Sequence, residues 1–251
     1  MRLSVARAVS ARLAASFGFL ALASAPVFAG DAANFAALGF SADGRYFGYE
    51  EFGVQDGSGF PYSNIFILDV AEDKWVGGSP FRLTLEQESP TLAGVRAAAM
   101  AKAAKALADL AISEPAVIEA LNGDGEVGHD GASISFGARG FGMDEPPNPV
   151  TLKLESFEST STVPCVDSFG FPPPVGFALT LEADGKSTEL HRDQSVPASR
   201  NCTVAYRPYG IVAPVNWSWN ERTPVAIISV FSQGFEGPDR RFIAVPVPGV
   251  K

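Results

Sequence analysis

Phe40-Ser41-Ala42-Asp43-Gly44-Arg45-Tyr46-Phe47-Gly48-Tyr49-Glu50-Glu51-Phe52, followed after a glycine-containing loop by Ile65-Phe66-Ile67-Leu68-Asp69-Val70, decides how this chain folds. Ser41 and Asp43 carry acceptors for nearby backbone and Gly44 accepts a positive φ, so residues 40–44 read as a turn. Arg45 to Phe52, with four aromatic residues, reads as a strand. Ile65 to Leu68 is apolar without a break, the pattern of a strand covered on both faces. Glu50 and Glu51 are adjacent on the first strand, so they point to opposite faces and cannot work as a pair.

The remainder carries the same signature. Strands are expected at Ser133–Phe136, Thr151–Phe157, Val175–Leu181, Thr188–His191, Cys202–Tyr206, Val225–Phe231 and Arg241–Val247, with Asp184-Gly185 as a hairpin turn. The 19 prolines and 25 glycines suit many short strands joined by turns. One stretch has helical periodicity. Ser89 and Pro90 open it, and Leu92, Val95, Ala99, Ala103, Leu107 and Leu110 share one face. The pattern predicts a helix from about Ser89 to Ile112, then a second short helix capped by Ser113 and ended by Asn122-Gly123. The fold class is mainly β (α+β): an antiparallel β-rich domain, residues 30–251, with propeller-like strand pairs and a helical insert, residues 89–121, packed on it.

Two resemblances rest on these motifs. Phe-Ser-Ala-Asp-Gly-Arg-Tyr-Phe-Gly-Tyr followed by Ile-Phe-Ile-Leu-Asp-Val resembles one repeat of the TolB-type β-propellers, with Ala42 in place of the usual proline. One copy does not make a propeller, which closes only from several blades. The combination of Gly39–Phe47 with Gly-Phe-Glu-Gly-Pro-Asp-Arg-Arg-Phe at 234–242 resembles the DUF2259 family of bacterial secreted proteins. That resemblance implies export and no particular activity.

The first residues agree. Arg2, Arg7 and Arg12 precede an apolar run from Leu13 to Ala25, too short to span a bilayer but suited to a secretory signal peptide. Val27-Phe28-Ala29 fits a peptidase site, so residues 1–29 are expected to be removed and the mature chain to begin at Gly30 in the periplasm or outside the cell. Loss of three arginines and no acid takes the formal charge from −9 to −12. That argues against nucleic acid or anionic lipid as a partner. No later stretch is apolar enough for a membrane span. Cys165 and Cys202 are expected to pair as a disulfide in an oxidising compartment; a metal pair is the weaker reading, because His129 and His191 are the only histidines.

Local motifs for chemistry are sparse. There is no Gly-x-Ser-x-Gly elbow, zinc spacing or phosphate-binding glycine loop. The acidic segment Asn122–Asp130 lacks the EF-hand glycine and bidentate glutamate, so no metal is assigned, and no cofactor is expected. Trp217 and Trp219, with Trp75, offer either core or a sugar-stacking platform. The residues assigned to a ligand site are Glu236, Asp239, Arg240 and Arg241, where glycines and Pro238 shape a loop rich in charge. The expected function is a non-catalytic binding or envelope-associated protein, whose partner is a small molecule, a glycan or an envelope protein. The alternative is a hydrolase using two carboxylates in a loop-lined cleft.

Overall fold

The structure is a computed structural model that describes residues 30–86, 90–123, 131–138, 142, 146–218 and 222–250. The expected signal segment, Ser89, His129, Trp219 and most of the acidic connector lie outside the described residues. In chain order the elements are β1 (Asn34–Ser41), β2 (Tyr46–Val54), β3 (Pro61–Asp69), β4 (Lys74–Trp75), β5 (Phe81–Thr84), α1 (Leu92–Asp109), β6 (Ile112–Glu114), β7 (Ala116–Leu121) and β8 (Ser133–Phe136). They continue as β9 (Val150–Glu158), β10 (Val175–Ala183), β11 (Lys186–Arg192), a 3-10 turn (Ala198–Arg200), β12 (Thr203–Pro214), β13 (Val225–Gln233) and β14 (Pro238–Pro246). The chain is mainly β, with antiparallel sheets and one α-helix.

Three sheets and the helix stack in layers. The first sheet runs β4-β3-β2-β1-β6, with β5 also paired to β3. The second runs β11-β10-β9-β8 and the third β14-β13-β12-β7. The third sheet lies in the middle. On β13, Val225 and Ile227 pack toward the first sheet, against Tyr49 and Phe66, while Ala226, Ile228 and Val230 pack toward the second, against Leu152, Phe177 and Leu179. This two-sided burial is why Val225–Phe231 is an unbroken apolar run. On the outer face of the first sheet, Ile65 packs against Ala99 and Ala103 of α1. Thus β3 is also covered twice, as its sequence requires.

The turns behave as their chemistry demands. Ser41 Oγ donates to Asp43 Oδ1, and Asp43 in turn accepts the Arg45 N–H at 3.0 Å. Asp184 and Gly185 both take positive φ (51° and 70°), the mirror-image turn that matches the twist of the β10–β11 hairpin. Residues 40–70 form a β1-turn-β2-loop-β3 unit inside the first sheet.

The helical reading needs two corrections. The helix starts at Leu92 with Thr91 as its N-cap, whose Oγ1 accepts the Gly94 N–H at 3.0 Å, and it ends at Asp109. The second short helix does not form. Residues 112–114 and 116–121 are strands, β6 on β1 and β7 along β12. Six residues make too little helix to hold alone, and β-branched Val117 and Ile118 suit pairing with the long β12. Other strands also exceed their sequence signal: β12 runs to Pro214, well past Tyr206.

Cys165 and Cys202 form the expected disulfide. It ties the loop after β9 to the start of β12, just after the 3-10 turn. The Cys202 carbonyl accepts the Gln233 N–H at 2.8 Å, so the bond also anchors the end of β13.

Ala103 is fully buried under the first sheet, whereas Ala101 is exposed on the same helix. Ala103→Asp is expected to lower unfolding free energy by about 3 kcal/mol or more, the order for an unpaired charge in a core. Ala101→Asp should change it by less than about 0.5 kcal/mol. Urea denaturation of both variants checks the docking of α1; equal effects would contradict it.

Candidate functional site

Strand period places Phe47, Tyr49 and Glu51 of β2 on one face, with Leu68, Phe66 and Asn64 beside them on β3. The rows extend outward: Arg82 of β5 lies opposite Asn64, and Trp75 of β4 opposite Leu68. This face meets the third sheet. The opposite face carries Glu50, which accepts Arg96 of α1 at 2.7–3.1 Å and the Ser63 hydroxyl at 2.8 Å. The two adjacent glutamates therefore serve different layers, as their spacing predicts, and both are buried.

Glu51 performs an unusual task. Its Oε2 accepts the backbone N–H of Phe242 at 2.8 Å, and the Tyr49 hydroxyl donates to the Phe242 carbonyl at 3.0 Å. Phe242 is on β14, the edge strand of the third sheet. Two side chains of the first sheet thus occupy the place of a neighbouring strand. Asn64 Nδ2 donates to Glu51 Oε1 at 3.2 Å, and the Arg241 guanidinium lies 3.7 Å from it. Burial pushes the Glu51 carboxyl up from the ordinary glutamate range, against the pull of the Phe242 N–H and Arg241.

Residues 31–33 complete the join. Asp31 Oδ2 accepts Arg241 at 2.6 Å, Asp31 Oδ1 accepts the Tyr62 hydroxyl at 2.9 Å, and the Asp31 N–H donates to Asp239 Oδ1 at 2.9 Å. Arg240 donates to the Ala33 carbonyl, and Ala32 forms a parallel bridge with Arg240. Two close approaches require glycine. A Cβ on Gly30 would strike the Pro238 carbonyl, and one on Gly234 would strike the Gly237 carbonyl and the Asp239 carboxylate.

Beyond this join the layers separate and leave a cleft of about 930 Å³. One wall is the first sheet, with Phe66, Leu68, Trp75 and Arg82. The floor is the edge of β14 from Asp239 to Val245. The third wall comes from the second sheet and its 3-10 turn, with His191, Ser199 and Arg200. Trp75 keeps 40% of its surface exposed while packing its ring 5.3 Å from Phe66, which stacks on Tyr49 at 4.8 Å. His191 stacks on Phe177 at 4.6 Å, and its Nε2 lies 3.0 Å from Asp193 Oδ1. Arg200 Nη1 donates to both Asp193 oxygens at 2.8–2.9 Å.

The charge of the cleft differs from that of the whole chain. Lys74, Arg82, Arg200 and Arg241 face Glu51, Asp73 and Asp239, whereas acids outnumber bases 28 to 19 overall. Burial raises the pKa of both Glu51 and Asp73; His191 opposes the rise at Asp73. The Arg82 guanidinium has no hydrogen-bond or ion-pair partner among the described residues.

Of the sequence-assigned residues, Asp239 and Arg241 line the cleft. Arg240 turns to the Ala33 carbonyl, and Glu236 is exposed on the hairpin loop next to Phe235. The described tryptophans do not make one platform: Trp217 is buried, donating to Glu119 Oε1 at 2.9 Å, while Trp75 lines the cleft wall. Arg82 and Arg200 escaped the sequence reading, because lone arginines in short alternating segments carry no local signal.

The chain matches the sequence model of DUF2259, a predicted secreted protein, over residues 48–248. It belongs to that family. No curated protein and no solved structure matches it. Of the two motifs, Gly234–Phe242 lies within the matched span and supplies Asp239, Arg240, Arg241 and Phe242 to the join just described, whereas Gly39–Phe47 precedes that span. Among the described residues no helix is long and apolar enough to cross a membrane.

Asp193 tests the third wall. Burial raises its pKa, but the bonds from His191, Arg200 and the Phe177 N–H outweigh burial and hold it below the ordinary aspartate range. Its stabilisation is therefore present above pH about 3.8 and is lost as pH falls through the depressed pKa. Asp193→Asn should cost about 3 kcal/mol at pH 7 by leaving Arg200 unpaired. The gap to wild type should shrink at pH 2–3. Urea denaturation at both pH values checks this, and a constant gap would contradict it.

Proposed function

We propose that this protein is an exported, non-catalytic binding protein of the bacterial periplasm, and that its cleft takes a small anionic ligand with an apolar or ring face. The observation that carries this reading is that the exposed Arg82 guanidinium, without a partner among the described residues, stands on the same wall as half-open Trp75. A guanidinium at the rim of a cleft favours carboxylate or phosphate, and an indole face favours a sugar ring or apolar side chain. Lys74 beside Arg82 on the cleft lining adds attraction for an anion. Asp239 and Arg241 form one end of the site in this reading, and Arg240 and Glu236 belong to the loop that holds them. A cleft of this size is ordinary for small-molecule sites.

The hydrolase reading draws on Glu51 and Asp73, two cleft carboxylates with raised pKa. Register speaks against their acting together. Glu51 lies opposite Asn64, while Lys74, next to Asp73, lies opposite Asp69. Five residues at about 3.3 Å each separate those rows by roughly 17 Å. Glycosidase pairs sit about 5–9.5 Å apart. Glu51 is, moreover, held at its own row by Phe242 and Asn64.

Thermal shift on the mature protein tests the reading, with uronate oligosaccharides, short peptides and sugar phosphates set against neutral sugars. At a hundred times Kd a ligand adds about 2.7 kcal/mol. Anionic members should raise Tm and neutral analogues should not. Arg82→Ala should weaken binding about tenfold or more with the unliganded Tm nearly unchanged. No response to any member, or a response indifferent to Arg82, would refute the proposal.

A further inference from the structure

The backbone of β14 says more about the ligand. On an antiparallel edge strand, alternate residues turn N–H and C=O toward the neighbour and toward the open side. Phe242 donates outward to Glu51, and Arg240 exchanges bonds outward with residues 31–33. Even-numbered residues of β14 therefore face the open edge. Pro238 and Pro246 have no N–H to offer. Ala244 is the remaining member of this series: its N–H and C=O point outward, at the cleft floor, with no partner among the described residues.

Ala244 is only 6% exposed, and its neighbours in the packing are apolar, Phe66 and Leu68 among them. An edge-strand donor and acceptor that face a cleft and have no partner among the described residues are open to pairing with a ligand. A ligand that supplies one acceptor and one donor at strand spacing satisfies both. A secondary amide does so. We infer that the ligand joins a carboxylate to a secondary amide, as a short peptide with a free C-terminus does, the amide pairing with Ala244 and the carboxylate with Arg82. This deepens the anion-binding proposal and rests on it. The blocked positions at Phe242 and Pro246 confine strand-like pairing to one residue, so a short peptide fits and a long added strand does not. The side chain of such a peptide meets Phe66 and Trp75. An N-acylated acidic sugar presents the same two groups.

Isothermal titration of the mature protein separates the possibilities. The probes are a tripeptide with free C-terminus, its C-terminal amide, its depsipeptide analogue with an ester in place of one peptide bond, N-acetylneuraminate, and a galacturonate trimer that has carboxylates but no amide. The expected result is binding of the tripeptide, weakened about tenfold in the C-terminal amide and about fivefold in the ester. Arg82→Ala should abolish the preference for the free carboxylate. N-acetylneuraminate bound in place of the peptide, with loss on removing its acetyl group, also supports the inference and names the sugar source. Galacturonate bound through Arg82 while neither amide-bearing acid binds would overturn the inference and leave the anion-binding proposal standing. Equal affinity for ester and amide would overturn it as well. Binding of none of the probes would refute both.

Discussion

The backbone N–H and C=O of Phe242, bonded to Glu51 and Tyr49, hold the architecture together. These bonds join the edge of the middle sheet to the face of the first sheet by side chains alone. A buried carboxylate is expensive, and here the cost is offset by a backbone N–H, an amide from Asn64 and the nearby charge of Arg241. Arg241 is itself fixed by Asp31, so the start of the described chain, the first hairpin and the last hairpin form one network. It also caps an edge strand that would otherwise present open hydrogen-bonding groups.

The cleft follows from this join. The layers are pinned at Phe242 and diverge beyond it, which leaves Ala244 to Val245 uncovered by a strand. On the far side the 3-10 turn is held by Asp193 through Arg200 and by the disulfide through Cys202. Rigid elements thus set three walls, and Trp75, Arg200 and Arg241 on them are held by Phe66, Asp193 and Asp31. Pre-organisation of this kind lowers the ordering cost of binding. In the proposed reading the acidic exterior serves solubility and the cationic side chains lining the cleft serve capture.

Much of this was legible from residues and some was not. Ile65–Leu68 and Val225–Phe231 announced doubly covered strands because period and composition reflect burial directly. Asp184-Gly185 announced its hairpin because both positions need positive φ. Adjacent Glu50 and Glu51 announced service to opposite faces. The strand Ala116–Leu121 was misread as helix because its fate depends on β12, almost a hundred residues away. The loop at 234–241 was legible as special, but the binding partners of Arg240 and Arg241 were not, since they lie more than two hundred residues earlier. Arg82 and Ala244 were invisible for the same reason: in the proposed reading one matters because no described residue pairs with it, the other through the parity of a strand edge.

Hydrogen exchange by NMR at Phe242 tests the central claim most directly. Its amide faces outward from an edge strand, where exchange is ordinarily fast. The join predicts that Phe242 is protected to nearly the level of the core amide of Ile228, while the amide of Ala244, on the same edge, exchanges far sooner. Exchange of Phe242 as fast as that of Ala244 would contradict the claim that Glu51 and Tyr49 hold the layers together.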